Sequence, residues 1–84
     1  MEEKEVGKII HYFGKISVGI IELTDTLRVG DTIHIKGAHD DFTQEVGSIQ
    51  IEHEQIQEAK AGEAIGIKVK DIVHEHDKVY KVLE

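Results

Sequence analysis

The chain has 84 residues, 17 acidic against 10 basic side chains and a formal net charge of −7. That size supports one small core that buries roughly 60–65% of the unfolded surface, and the sign of the charge is wrong for a protein whose main work is holding phosphate backbones. With no cysteine, a disulfide framework and a thiolate metal site are excluded, and a single arginine, Arg28, argues against bidentate phosphate or guanine recognition.

The elements follow in chain order from apolar alternation. The first strand is expected over residues 6–13, after a frayed terminus at 1–4, and Gly14-Lys15 turns the chain into a second strand over 16–23. The second strand changes its inward face at Ile20-Ile21, which predicts a bulge there. Residues 24–30 read as a loop. Over 32–36, Ile33 and Ile35 point in while His34 and Lys36 point out, the period of a half-buried strand. Residues 37–41 are turn chemistry. A fourth strand over 42–52 places Phe42, Gln44 and Val46 on one face and Ile49 and Ile51 on the other, so an extra residue is expected near Gly47-Ser48.

Residues 54–60 are the best helical candidate, too short to stand alone, and read as a loop or single turn packing Ile56. Gly62 opens a strand over 64–70 with Ile65, Ile67 and Val69 inward. Residues 71–77 read as a loop, and 78–83 as the closing strand. The expectation is an all-β fold, a small closed barrel of six strands in one domain spanning 1–84. The Ile- and Val-rich, aromatic-poor composition agrees with that class. The chain lacks Asn and Cys, holds one Met and is rich in Glu, Lys and Ile, a thermophile-like composition, although it also lacks proline. No apolar run approaches a membrane span and residues 1–5 are the opposite of a signal peptide, so a cytoplasmic protein without membrane contact is expected.

Two glycine turns carry the strongest pattern: Leu27-Arg28-Val29-Gly30-Asp31-Thr32-Ile33 and Ala59-Lys60-Ala61-Gly62-Glu63-Ala64-Ile65-Gly66-Ile67. Gly30 and Gly62 supply backbone freedom, and Asp31 can accept from turn amides; all three read as fold determinants. With Val6-Gly7-Lys8-Ile9 and Val46-x-Ser48-Ile49, these residues resemble the second domain of elongation factor Tu and related translational GTPases, over roughly residues 6–83. His11-Tyr12-Phe13-Gly14-Lys15 and Asp41-Phe42-Thr43-Gln44 resemble the short, free-standing elongation-factor-like proteins of archaea and bacteria. A similar barrel occurs as the carboxy-terminal domain of collagenase-like enzymes that act on RNA. The resemblance implies a non-catalytic, translation-factor-like binding module that contacts transfer RNA, the ribosome or an RNA-acting enzyme. The alternative is a protein-only adaptor or homo-oligomer, and a third reading is metal binding through histidines.

The chemistry is otherwise sparse. The phosphate-loop pattern fails because Ile16 follows Gly14-Lys15 and Ile9 stands where the first glycine belongs. With no asparagine for guanine recognition, no GTP is expected. Ser17 and Ser48 are expected inside strands, away from any nucleophile elbow, so no enzyme, no catalytic residue and no cofactor are expected. His74-Glu75-His76-Asp77 sets two imidazoles on one face of an extended segment, a pair able to chelate zinc with Asp77 or His53 as third ligand; exposed loop histidines are the plainer reading. Tyr12 and Phe13 alternate, so at most one of them points outward. An outward aromatic on a face of lysines (Lys8, Lys15, Lys68, Lys70) would favour RNA. Dispersed lysines beside an apolar patch would favour a protein partner.

Overall fold

The computed structural model describes residues 2–83. Its strands are β1 (Glu2–Phe13), β2 (Val18–Leu23), β3 (Leu27–Arg28), β4 (Thr32–Lys36), β5 (Asp41–Glu45), β6 (Ile49–Ile51), β7 (Glu54–Ile56), β8 (Glu58–Ala59), β9 (Ala64–Lys68) and β10 (Lys78–Leu83). The fold is all-β, with antiparallel pairing throughout and no helix among the described residues. Eight strands form one sheet in the order β5-β4-β10-β1-β2-β9-β6-β7, and β3 with β8 forms a second. No helix in the described residues is long and apolar enough to cross a membrane.

The ten strands replace the six expected, for local reasons. The loop expected at 24–30 contains β3, whose Leu27 is buried opposite Ala59 of β8. Residues 54–60, read as a loop or single turn, are extended instead. Ile56 faces Ile49 across β6 and β7, and burying an apolar side chain against a strand outweighs the weak helix propensity of a seven-residue polar stretch. The strand expected over 42–52 is broken in two: Val46 leaves the ladder so that its amide donates to Asp31 O while Gly30 N donates to its carbonyl, each at 2.8 Å. Residues 2–4, expected to fray, lie in β1 opposite residues 81–83 of β10; Met1 lies outside the described residues.

β1 sits at the middle of the sheet and carries both irregularities that curve it. Its register slips between Glu5 and Gly7 against β10, and between Ile9 and His11 against β2. The bulge expected at Ile20-Ile21 therefore lies on the opposing strand, β1. Within β2 the alternation is plain: Gly19, Ile21 and Leu23 face the core, Val18 and Ile20 the other side. The core is aliphatic, with Ile9, Ile21, Ile33, Ile35, Ile49 and Val79 fully buried. Tyr12, Val29, Phe42, Ile51 and Ile56 pack against it.

Gly7 sets how closely β1 and β2 approach at the first slip. A Cβ there would lie 2.5 Å from the Glu22 carbonyl oxygen and 2.8 Å from Ile21 Cγ2. Backbone cannot yield as a flexible side-chain tip can. Gly7→Ala is expected to lower unfolding free energy by about 1–3 kcal/mol or more in urea titrations. Gly14→Ala, whose Cβ would meet only Tyr12 Cε2 at 3.5 Å, is expected to stay within about 0.5 kcal/mol of wild type.

Candidate functional site

Two surface features combine geometry with unusual chemistry. The first is a shallow apolar groove of about 220 Å³ beside the β1–β2 hairpin, lined by Phe13, Ile16, Val18, Ile20 and Ile65 with His53 on its rim. Phe13 is 46% exposed and Ile16 56% exposed, a high exposure for large apolar side chains set next to each other. Tyr12 instead packs against the core, as alternation along β1 requires. Gly66 forms part of the floor. A Cβ there would press on Val18 Cγ1 at 3.3 Å and Ile20 Cδ1 at 3.4 Å, so this glycine keeps the groove open.

The rim is strained. Glu52 and His53 link β6 to β7 with φ of 50° and 69°, the positive pair of a tight hairpin turn that Asn-Gly normally supplies. Ser17, at the other edge of the hairpin turn, also has positive φ, 56°. Each such residue costs of order 1–3 kcal/mol. Ser17 and Ser48 both lie in connections rather than within strands as expected.

The second feature joins two turns distant in sequence. Gly37 N donates to Asp40 O at 2.8 Å, closing the turn between β4 and β5. Ahead of β10, His74 N donates to Asp77 Oδ2 at 3.0 Å, and Asp77 N to His74 O at 3.2 Å. The turns meet through Asp40 Oδ2, which lies 2.7 Å from His74 Nδ1. Burial and the neighbouring Asp40 raise the Asp77 pKa, whereas the bond from Asp77 holds Asp40 below its ordinary value. The Asp40 carboxylate in turn raises the His74 pKa.

The expected pair of His74 and His76 is not what the fold assembles. His76 has φ of 78° and its amide donates to Ile9 O at 2.8 Å, so the segment is a turn rather than an extended strand. One donor atom each from Asp40, His74 and Asp77 lie within 4.8 Å of one another; His76 and His53 are not in that group. Of the expected third ligands, Asp77 is present and His53 sits on the apolar groove. Asp40 was missed because it is 34 residues from His74; only the contact between the turns reveals it. Gly30 and Gly62 have φ of 99° and 91°, and Asp31 Oδ2 accepts from Arg28 N at 2.9 Å and lies 3.3 Å from Lys81 Nζ. Of the four candidate lysines, Lys70 lies over the Phe42 ring at 5.9 Å.

With this geometry in hand, comparison with known proteins is informative. No family model matches the chain. The C-terminal domain of a Geobacillus thermoleovorans protein described as a U32 peptidase superposes with a TM-score of 0.89, covering 95% of this chain and 93% of that one at 19% identity. The fold is that domain's fold. An uncharacterised protease of Methanocaldococcus jannaschii is 41% identical over 81 residues, 95% of this chain and 20% of its own length. A collagenase of Porphyromonas gingivalis is 36% identical over 78 residues, 90% of this chain and 22% of its own length. The chain thus spans about a fifth of the curated relatives it matches.

These findings overturn the expected kinship with elongation factor Tu and the translation-factor function built on it. Elongation factor 1-alpha of Thermococcus gammatolerans does match, 40% identical over 63 residues, but across only 70% of the chain. The glycines of the two turns supply backbone freedom, a demand of the fold that does not by itself identify a function. The structural neighbour and the longer matches lie with the peptidases.

A histidine between carboxylates beside the second feature gives a pH dependence. His34 Nδ1 lies 2.8 Å from Glu3 Oε2 and its Nε2 lies 2.5 Å from Asp41 Oδ1, which joins β1, β4 and β5. The bond to Asp41, then that to Glu3, raise the His34 pKa above 6.5 against some desolvation. A raised folded pKa means the stabilisation is complete below the unfolded value and is lost as pH rises through the folded one. The melting temperature is expected to fall between pH 6 and pH 9, and to fall less in His34→Gln. His74 titrates in the same direction, so the slope shrinks without vanishing. A slope unchanged in His34→Gln would contradict the assignment.

Proposed function

We propose that this chain is a non-catalytic β-module of the U32-peptidase C-terminal type, and that it docks onto the catalytic part of such a peptidase through the Phe13–Ile16 groove. The observation that carries this is the adjacency of Phe13 and Ile16, exposed over a groove kept open by Gly66. The occupant follows from the matches. The relatives carry about four-fifths of their length beyond the matched region, and a domain that accompanies such a body needs a face to pack against it. The strained Glu52-His53 turn fits a rim held for contact rather than for stability.

We infer also that the eight-stranded sheet curls into a closed barrel. Gln44 supports this: its Nε2 donates to Lys68 O at 2.8 Å and its Oε1 accepts from Lys70 N at 2.9 Å. The side-chain amide thereby does for β5 and the end of β9 what a ladder bond does between paired strands. The slips along β1 supply the curvature that closure needs.

The test mixes the purified chain with the part of the Methanocaldococcus jannaschii relative that it does not match, and follows binding by calorimetry. A one-to-one complex with a dissociation constant of about 10 μM or tighter is expected, weakened at least about tenfold by Phe13→Glu or Ile16→Lys. Ile72→Lys, which changes an exposed apolar residue outside the groove, is expected to leave it intact. Absence of any complex at about 100 μM, or a complex indifferent to both groove substitutions, would refute the reading.

A further inference from the structure

From the geometry, we propose that Asp40, His74 and Asp77 form a binding site for a divalent transition-metal ion of the zinc type, with His39 at its border. Three ligand atoms from two separate turns already lie within 4.8 Å of one another, so modest side-chain rotation brings them to the ~2.0–2.2 Å bond lengths such ions require. The His39 ring packs edge-on against His74, with centroids 5.8 Å apart. Two carboxylates with an imidazole and no thiolate are a set that suits zinc, nickel or manganese rather than copper(I), and imidazole disfavours calcium and magnesium.

Burial separates this cluster from an ordinary acidic surface. Asp77 is only 3% exposed and the Asp40 side chain only 9% exposed. Buried carboxylates normally face a cation. Among the described residues the lysine and arginine ion pairs go to Asp25, Glu58, Glu5 and Asp31, so the imidazole of His74 is the cationic partner that reaches this pair, through Asp40. The backbone gives the carboxylate room. A Cβ on Gly37 would fall 1.8 Å from Asp77 Oδ1, so only glycine admits this carboxylate against the β4–β5 turn. His74 stands on the solvent side, half exposed, and leaves an entry path for the ion. The surround is fixed as well: His74 N holds Asp77 Oδ2, and the turn is tied to β1 through Ile9. The bound ion would clasp the β4–β5 turn to the turn before β10.

The experiment is calorimetric titration of Zn²⁺ into chelator-stripped, untagged protein, with Co²⁺ absorption spectra on the wild type as a second readout. Saturable one-to-one binding with a dissociation constant of about 1 μM or tighter is expected, weakened about 10–100-fold by Asp40→Asn and by His74→Gln and unchanged by His76→Gln or His53→Gln. Co²⁺ should give the intense visible bands of a low-coordinate nitrogen–oxygen site. Circular dichroism of each metal-free variant separates lost ligation from lost folding. No saturable Zn²⁺ heat together with a Co²⁺ spectrum matching the free aqueous ion would overturn the proposal. So would affinity that survives Asp40→Asn and His74→Gln in folded protein.

Discussion

Ile9 contributes its side chain to the fully buried core while its backbone serves a separate turn: its amide donates to Asp77 O and its carbonyl accepts from His76 N, each at 2.8 Å. It can do so because the paired residues of β1 and β10 end at Lys8 and Lys78, which leaves the Ile9 amide and carbonyl to the residues just before β10. Buried backbone groups must be partnered, so where the β1–β10 ladder ends the segment before β10 supplies the partners from a turn. Positive φ at His76 follows from the same demand. The path of residues 74–77 and the position of Asp77 thus follow from the backbone demand of one residue in the central strand.

Asp77 transmits that constraint to the surface. Its backbone is fixed by Ile9, one carboxylate oxygen holds His74 N, and the side chain abuts Gly37 and Asp40. The backbone beneath the acidic cluster is thus tied to the core through Ile9. The apolar groove has a different origin. On β2, Gly19, Ile21 and Leu23 take the core face, which leaves Val18 and Ile20 on the opposite face beside Phe13. In a small sheet that second face must be covered by something or meet water. The two features occupy different linings, so docking and metal binding are separable properties of one scaffold.

Much of the strand pattern was legible in the sequence because alternation follows from geometry. Residues 32–36 and 78–83 form strands over the expected ranges, and Ile65, Ile67 and Val69 point inward as their spacing requires. The segment at 54–60 was not legible, since its two apolar residues, Ile56 and Ala59, show no strand period, and their partners Ile49 and Leu27 are tertiary facts. The bulge was placed on the wrong strand for a similar reason: a face change in β2 and a slip in β1 leave the same trace in one sequence. Among site residues, His74 and Asp77 were visible and Asp40 was not, because ligand spacing in a local motif cannot show a contact across 34 positions. Kinship was misread because Gly30, Asp31 and Gly62 encode turns, and turns are shared by proteins that do unrelated things.

Hydrogen–deuterium exchange, measured on the chain alone and in the presence of the peptidase body, addresses the docking account most directly. It needs no substitution and reads every backbone amide. The account predicts slowed exchange confined to the β1–β2 hairpin and the Glu52-His53 turn, which border the groove, with the amides of residues 74–77 unchanged. Protection that avoids both groove segments, or exchange identical in the two samples at saturating partner, would contradict it.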